Sequence, residues 1–495
     1  MLFTEPSFLF LFLPVLLALY FLPTLKGSAY GKRPHGEYAN VLLLAASVLF
    51  YARGGGAFTW LMLASITFNY LMAMAVAAGL EGPPDNHARS RAWLTAAIAV
   101  NLAVLGVFKY ANFFADNANA MLASLNIAPF AVPQVLLPIG ISFYTFHAIS
   151  YVVDVYRGHA TAQKSPVHAA LYLLLFPQLI AGPIIRYREI ADQLARRVVA
   201  MDDFAAGARR FVVGLGKKVL IANNVASAAD GIFALAPAEL TLAHAWLGII
   251  CYTLQIYFDF SGYSDMAIGL GRMFGFRFPE NFRWPYVADT VQEFWRRWHI
   301  SLSSWFRDYL YVPLGGNRVS PGRMYRNLVL VFFLCGLWHG ASWNFVVWGL
   351  YHGSFLVAER LGVARLVRRL PTPIRHAYLL LVVMVGWVFF RADTLHAAVV
   401  YLGAMAGVSA PGVKPFDVAW FLTPEVSLAL VAGVIGSVPI VPAIVRAVDR
   451  PAPSEAEGPG WWVEAAATAA LVVMLFASIL QIAGRSYDPF IYFRF

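Results

Sequence analysis

Two histidines of this chain lie in surroundings that are unusual for a titratable side chain. His339 belongs to the tripeptide Trp-His-Gly at 338–340, inside a long apolar run, and His299 belongs to a block rich in Arg and Trp at 293–318. An imidazole in an apolar segment costs free energy unless it has a partner or a task, and histidine gains or loses its proton near neutral pH. We therefore predict that His339 is a catalytic base, and His299 is a candidate for a second catalytic residue.

Both histidines also have a structural explanation. His339 could be a core histidine bonded to a backbone carbonyl, and His299 could be an interfacial histidine solvated by lipid headgroups. Ionisable groups within a membrane are usually functional, which favours catalysis for His339. The residues alone leave the two explanations of His299 equally open.

Other polar groups in apolar runs are better explained as structural. His147 and Asp154 are seven residues apart and share a helical face, where an interhelical hydrogen bond accounts for them. His352 has a similar explanation. Asp259 and Asp265 do not share a face, and we expect each of them to pair with a nearby arginine.

Three arginines beside His299 could bind an anionic substrate. Arg296, Arg297 and Arg307 are predicted to hold phosphate groups, since guanidinium groups bind phosphate strongly. An aromatic and basic belt at the membrane interface is the simpler explanation of the same composition. It does not explain the paired glycines of Pro-Leu-Gly-Gly-Asn at 313–317, which permit a close backbone approach.

Several motifs point to other chemistry but fail on spacing. The glycines at 269–275 put the third glycine of a dinucleotide fingerprint one place late, and 214–218 lack the Ser or Thr of a phosphate loop. Residues 262–266 miss the last glycine of a nucleophile elbow. The chain has 2 cysteines, which implies no disulfide framework and excludes a cysteine-rich metal site.

The composition indicates a polytopic membrane protein. Hydrophobic residues make up 60% of the 495 residues and charged residues 13%, against about 25% charged in soluble domains. Residues 58–80, 93–108 and 465–482 are apolar enough to cross a bilayer as helices, which takes about 20 residues. The fold class is predicted to be all-α.

The charges of the loops predict a topology that starts outside. The first spans are expected near 7–22, 39–52, 57–80, 92–113 and 135–156, and residues 115–134 form an outside loop because they contain no Lys or Arg. Residues 169–185 are too short for a full crossing and are broken by Pro177 and Gly182-Pro183. We predict a re-entrant segment there, since such breaks are tolerated only within protein or beside a water-filled cavity.

The second half is predicted to alternate between surface and membrane. A span near 240–260 precedes residues 272–326, which contain nine arginines and should form short amphipathic helices at the cytoplasmic membrane surface. Residues 327–358 should enter the membrane and return, with His339 near the turn. Later spans are expected near 376–391, 424–443 and 461–484.

Several motifs together resemble the membrane-bound O-acyltransferase family, in its AlgI-like branch. They are the block at 293–318 with Trp-His-Gly at 338–340, and four further segments: LPIGISFY at 137–144, FPQLIAGP at 176–183, YFDFSGYSD at 257–265 and PFIYFRF at 489–495. His299 and His339 occupy the two characteristic polar positions of that family. The resemblance strengthens the assignment of both residues as catalytic.

The resemblance implies a fold and an activity. A single transmembrane domain at 1–495 would form a ring of about 11 to 12 transmembrane or re-entrant helices around a funnel, with the essential histidine in its floor. Such proteins pass an acyl group, acetyl in this branch, from a cytoplasmic thioester such as acetyl-CoA or an acyl carrier to a hydroxyl on the other side. The recipient would be an exported polysaccharide, with periplasmic partner proteins completing the transfer at the bacterial inner membrane.

Two other classes of function remain possible from the residues. A secondary transporter or flippase would show two related halves, and the sequence shows no such repeat. A non-catalytic scaffold of an export complex would not need His339. We expect membrane lipid as a neighbour, no nucleic acid as a partner, and neither a metal nor a tightly bound cofactor. The acceptor stays open among alginate, acetylated cellulose, peptidoglycan and other envelope glycans.

Overall fold

The structure is a computed structural model that describes residues 1–23, 36–81, 86–408, 416–440, 443 and 461–484. Within these ranges every regular element is a helix and no strand occurs. The predicted all-α class is therefore confirmed. The motif at 489–495, and two residues near the end of the span predicted at 424–443, lie outside the described residues.

The chain divides into two compact units. The first comprises Met1–Ala208 with Ala267–Pro279, and the second comprises Arg209–Met266 with Glu280–Phe495. Helices α9 and α11 contribute residues to both. His299 and His339 both belong to the second unit.

The helices of the first unit follow the predicted spans. A π-helical turn at Phe8–Phe12 leads into α1; the helices up to the boundary are α1 Leu13–Phe21, α2 Glu37–Gly55, α3 Phe58–Glu81, α4 Asn86–Ser124, α5 Ile141–Tyr156, α6 Pro166–Leu174, α7 Phe176–Leu179, α8 Tyr187–Ala195 and α9 Met201–Gly216.

The second unit holds a series of short helices and a tight hairpin. The described helices are α10 Asn223–Phe233, α11 Leu242–Met273, α12 Val291–Arg297, α13 Ile300–Phe306, α14 Pro321–His339, α15 Trp343–Ala358, α16 Ala364–Val367, α17 Thr372–Arg391, α18 Leu395–Met405, α19 Pro424–Gly436 and α20 Trp461–Ala483. π-helical turns lie at Lys217–Ala222, Arg307–Tyr311 and Glu359–Val363.

Among the residues that the structure describes, four helices are long and apolar enough to cross a membrane: Phe58–Glu81, Asn86–Ser124, Thr372–Arg391 and Trp461–Ala483. The predicted segments 58–80, 93–108 and 465–482 fall within three of them, so their assignment as apolar helices is confirmed. Sequence reasoning missed α18, because its 11 residues are too few to be recognised as a span.

One predicted loop is wrong in its first half. Residues 115–134 were expected to connect two spans, but α4 continues to Ser124 and is 39 residues long. At 1.5 Å per residue it extends about 58 Å, roughly twice the thickness of the hydrocarbon core. The absence of Lys and Arg indicates on which side of the membrane the segment lies, but it does not indicate secondary structure. The Ala, Met and Leu of this segment favour a helix.

The segment at 169–185 is broken as predicted and is enclosed by protein. Ser165 caps α6 by accepting from the backbone N–H of His168, and the helix is interrupted at Leu175 before the short α7 begins. All four residues of α7 are buried. The irregular backbone is thus surrounded by protein of the first unit, the condition under which it is tolerated at membrane depth.

Gly140 joins two of the motifs that carry the family resemblance. Its φ of +74° precedes α5, and a Cβ at this position would lie 2.9 Å from the carbonyl oxygen of Leu179. Both the left-handed backbone and the close approach require glycine. The glycine of LPIGISFY thus lets the start of α5 contact the FPQL segment.

The predicted hairpin at 327–358 is confirmed. It consists of α14 and α15, joined by Gly340, Ala341 and Ser342, and α14 ends at His339. A Cβ at Gly336 would collide with the carbonyl oxygen of Phe345, and one at Gly349 would collide with that of Phe332. Small residues of this kind let two helices within a membrane approach to backbone contact.

We predict that Gly336→Ala destabilises the protein, because the added methyl group meets a backbone carbonyl that cannot move without separating the two helices. Overpacking of this kind costs about 1–3 kcal/mol. Gly322→Ala is the matched control on the same helix, since nothing lies within 4 Å of its added Cβ. Thermal unfolding of the purified protein in detergent measures the effect; equal midpoints for the two variants would contradict it.

Candidate functional site

His339 is enclosed by aromatic rings from three helices. It is the last residue of α14, and its side chain is buried. The imidazole centroid lies 4.9 Å from Trp338, 5.0 Å from Trp348 on α15 and 5.2 Å from Phe390 on α17. Water is thereby kept from most of the ring, which strengthens any electrostatic interaction that the imidazole makes.

His299 is also buried, with only 1% of its surface exposed. It lies between α12 and α13, and Phe260 approaches it edge to face at a centroid distance of 4.6 Å. Such burial within protein is incompatible with a histidine solvated by lipid headgroups. The short helices predicted in 272–326 are present, but Trp295 and Trp298 are buried in protein as well.

The backbone of His299 adopts an uncommon conformation. Its φ of +42° makes it one of three non-glycine residues with positive φ in the described part of the chain. Such a conformation costs about 1–3 kcal/mol and persists only where the surroundings enforce it. Here the N–H of Ile300 donates to the backbone carbonyl of Asn281 at 2.9 Å, immediately after the strained residue.

The helix before His299 is held at both ends. The carboxylate of Glu359, which follows α15, accepts from the backbone N–H groups of Val291 and Gln292 at 2.7 and 2.9 Å. At the other end the carbonyl of Arg297 accepts from the N–H of Arg283 at 3.0 Å. The hairpin that carries His339 thus leads directly into the residue that anchors α12.

The indole of Trp338 lies against both candidate catalytic rings. Its ring centroid is 6.4 Å from that of His299 and 4.9 Å from that of His339. The two histidines, forty residues apart in sequence, are therefore brought to one side chain.

Asn281 is a residue of the site that sequence reasoning missed. It is fully buried, and its Oδ1 lies 3.1 Å from Nδ1 of His299. The same oxygen accepts from the backbone N–H and the hydroxyl of Ser301, at 3.2 and 2.9 Å. A single asparagine in Pro-Glu-Asn-Phe at 279–282 carries no local signal. Its only sequence clue is its place just before the Arg- and Trp-rich block.

Two acidic residues of α11 pair with basic residues from the segment 209–218. Asp265 accepts from Arg210 at 2.8 Å and from Lys217 at 2.6 Å, so its predicted pairing with an arginine is confirmed. Asp259 instead pairs with Lys218 at 2.6 Å. The expected arginine partner of Asp259 is therefore wrong, because the partner depends on which turn of the neighbouring helix faces it.

Two of the three predicted phosphate ligands are exposed, Arg297 is half-buried, and each is paired with a carboxylate nearby in sequence. Arg296 lies 3.7 Å and Arg297 2.7 Å from the carboxylate of Glu293, while Arg307 lies 2.8 Å from Asp308. The side chains of Arg296 and Arg307 are 67% and 60% exposed. They form an accessible basic surface and are not part of the aromatic surround of the histidines.

Two further histidines, His147 and His352, are embedded in the protein interior. In the first unit, Nε2 of His147 accepts from the N–H of Ile185 at 3.3 Å, and the carboxylate of Asp154 accepts from the N–H of Arg188 at 3.2 Å. The bond of Asp154 joins α5 to α8, as predicted, whereas His147 bonds to the connection between α7 and α8 and not to a helix. In the second unit, His352 packs against Trp295 and Trp348 at centroid distances of 5.1 and 5.2 Å.

Comparison with known proteins identifies relatives whose similarity includes the region of both histidines. A model of the membrane-bound O-acyltransferase family matches residues 159–392, which include both His299 and His339. The chain is 43% identical to the probable alginate O-acetylase AlgI of Azotobacter vinelandii and 42% identical to that of Pseudomonas putida, in each case over 100% of both chains. It is 37% identical to the peptidoglycan O-acetyltransferase of Helicobacter pylori, over 83% of this chain and 80% of the relative.

Identity at this level over the full length, together with the matched region around both histidines, determines the family. The resemblance to the AlgI-like branch is confirmed. The chain is an O-acyltransferase and belongs to the membrane-bound O-acyltransferase family.

Proposed function

We propose that this protein takes an acetyl group from a cytoplasmic thioester and passes it across the bacterial inner membrane for the O-acetylation of an exported polysaccharide. The observation that carries the proposal is the pair of buried imidazoles, His299 and His339, in contact with one indole, Trp338. The names of the relatives support acetyl as the group and alginate or a similar glycan as the recipient.

The chemistry needs a base at the point of attack. As the acceptor hydroxyl attacks the thioester carbonyl, its proton passes to a neutral imidazole; the carbon–sulfur bond then breaks and the thiolate takes up the proton. A base in this role contributes roughly 10²- to 10⁴-fold in rate. We assign the role to His339, because the rings of Trp338, Trp348 and Phe390 exclude the water that would otherwise hydrolyse the thioester.

The donor is proposed to bind on the basic surface. Arg296, Arg297 and Arg307 lie close in sequence to His299, and two of them are more than half exposed. Guanidinium groups that pair with a single carboxylate can exchange it for the phosphates of acetyl-CoA or of an acyl carrier. Periplasmic acetyltransferases or other polysaccharide-modifying proteins are proposed to receive the acetyl group on the opposite side.

We expect His339→Ala to reach the membrane at normal levels and to lower acetyl transfer about 10²- to 10⁴-fold, since the base is lost. The measurement is the acetate released by mild alkali from the envelope glycans of cells that carry only the variant. His396→Ala is the control, because His396 is an exposed histidine on α18 and should leave the acetate unchanged. Near-normal acetate with His339→Ala would reject the assignment and favour a scaffold role.

We expect Arg307 to lie on the cytoplasmic side. The protein's 2 cysteines, Cys251 and Cys335, are both buried, so an introduced cysteine should give a clear signal with an impermeant thiol reagent. In sealed spheroplasts Arg307→Cys should be labelled only after permeabilisation. Ile127→Cys, which lies at an exposed position in the predicted outside loop, should be labelled at once. Strong labelling of Arg307→Cys in sealed spheroplasts would refute the topology.

A further inference from the structure

We propose that Asn281 is a positioning residue that fixes His299 in the tautomer with its proton on Nδ1. Nε2 is then left to accept a hydrogen bond from a hydroxyl of the incoming acyl acceptor. The second half of this inference rests on the proposed function. The tautomer itself follows from the hydrogen bonds of Asn281.

The orientation of the Asn281 carboxamide is determined by a group that can only donate. The backbone N–H of Ser301 lies 3.2 Å from one side-chain atom of Asn281. A backbone N–H has no lone pair to offer, so that atom must be the oxygen, Oδ1. The amide nitrogen consequently points to the other side, where it donates to the hydroxyl of Ser264 at 3.0 Å.

The tautomer of His299 follows from this orientation. A carboxamide oxygen can only accept, and it lies 3.1 Å from Nδ1 of His299. In a neutral imidazole one nitrogen carries the proton and the other accepts. The proton is therefore on Nδ1, and Nε2 carries the lone pair.

The other ring nitrogen has no protein group to bind. Nε2 of His299 is buried and has no hydrogen-bond partner within the described part of the chain. Around the ring lie Phe260, Phe282 and Trp338, at centroid distances of 4.6, 6.4 and 6.4 Å. None of these neighbours donates to Nε2, so its lone pair is left for a ligand hydroxyl. One of them, Trp338, also contacts His339.

A second set of bonds keeps Asn281 in place. Glu280, its neighbour in sequence, binds Arg210 at 2.6 Å, and Arg210 also binds Asp265 at 2.8 Å. Ser264 and Asp265 are consecutive on α11. Ser264 binds Asn281 directly, and Asp265 is linked to Glu280 through Arg210. The loop that orients His299 is thus attached to α11 at two adjacent points.

The tautomer can be read by ¹⁵N NMR of the full-length protein, labelled at histidine and purified in detergent, because protonated and unprotonated ring nitrogens have well-separated shifts. The His299 signals are assigned by their loss in His299→Gln. We expect Nδ1 to be protonated in the wild type. Asn281→Leu removes the acceptor and should lower the population of this tautomer. Asn281→Asp keeps an oxygen facing Nδ1 and should preserve it.

Asn327→Leu is the matched control. Asn327 is an equally buried asparagine of the second unit whose amide donates to the carbonyl of Leu314 at 3.0 Å. Its replacement should leave the His299 signals unchanged. An Nε2–H tautomer in the wild type, or an unchanged tautomer in Asn281→Leu, would overturn the inference.

Acetate on the envelope glycans, measured as for His339, tests the consequence for transfer. Asn281→Leu should lose at least 10-fold, and Asn281→Asp should retain more activity than Asn281→Leu at equal membrane levels. Equal losses in the two variants, with the tautomer preserved in Asn281→Asp, would reject the positioning role. If cells that lack this protein carry as much acetate on their glycans as wild-type cells, the proposed function fails. The NMR result still decides the tautomer.

Discussion

The contact between α14 and α15 determines where His339 lies. Gly336 and Gly349 let the two helices approach until their backbones touch, and the hairpin that results ends its first arm at His339. Because that approach leaves no space between the arms, Trp348 of the second arm is pressed against the imidazole. The position of the histidine is thus a consequence of two residues that have no side chain.

An imidazole enclosed by rings must stay neutral or find a partner, since burying a charge is costly. Aromatic packing surrounds both histidines, and a hydrogen bond to Asn281 is also present at His299. His339 is packed among Trp338, Trp348 and Phe390, whereas His299 is bonded to Asn281 through one nitrogen. Aromatic side chains keep water from both imidazoles, and the bond to Asn281 orients the ring of His299.

Much of this arrangement could be predicted from local patterns. The hairpin at 327–358, the broken segment at 169–185 and the short helices after 272 follow from the alternation of apolar runs, prolines and charges. The errors arose where a different property was decisive. Residues 115–124 lack Lys and Arg but have helix-forming side chains, so α4 continues through them. The surroundings of His299 were left open by the Arg-rich block in which it lies, and its side chain is turned into the protein.

By itself the sequence determined the class of fold, the membrane environment and the family resemblance, and it singled out the two histidines as candidates. Composition, periodicity and short motifs are local properties of the chain. Only the tertiary structure decided which side chains are partners. The bond from His299 to Asn281, the pairing of Asp259 with Lys218 and the shared indole of Trp338 each join residues well separated along the chain. Which groups meet in this way depends on the angle and rotation of packed helices, and no local pattern encodes either.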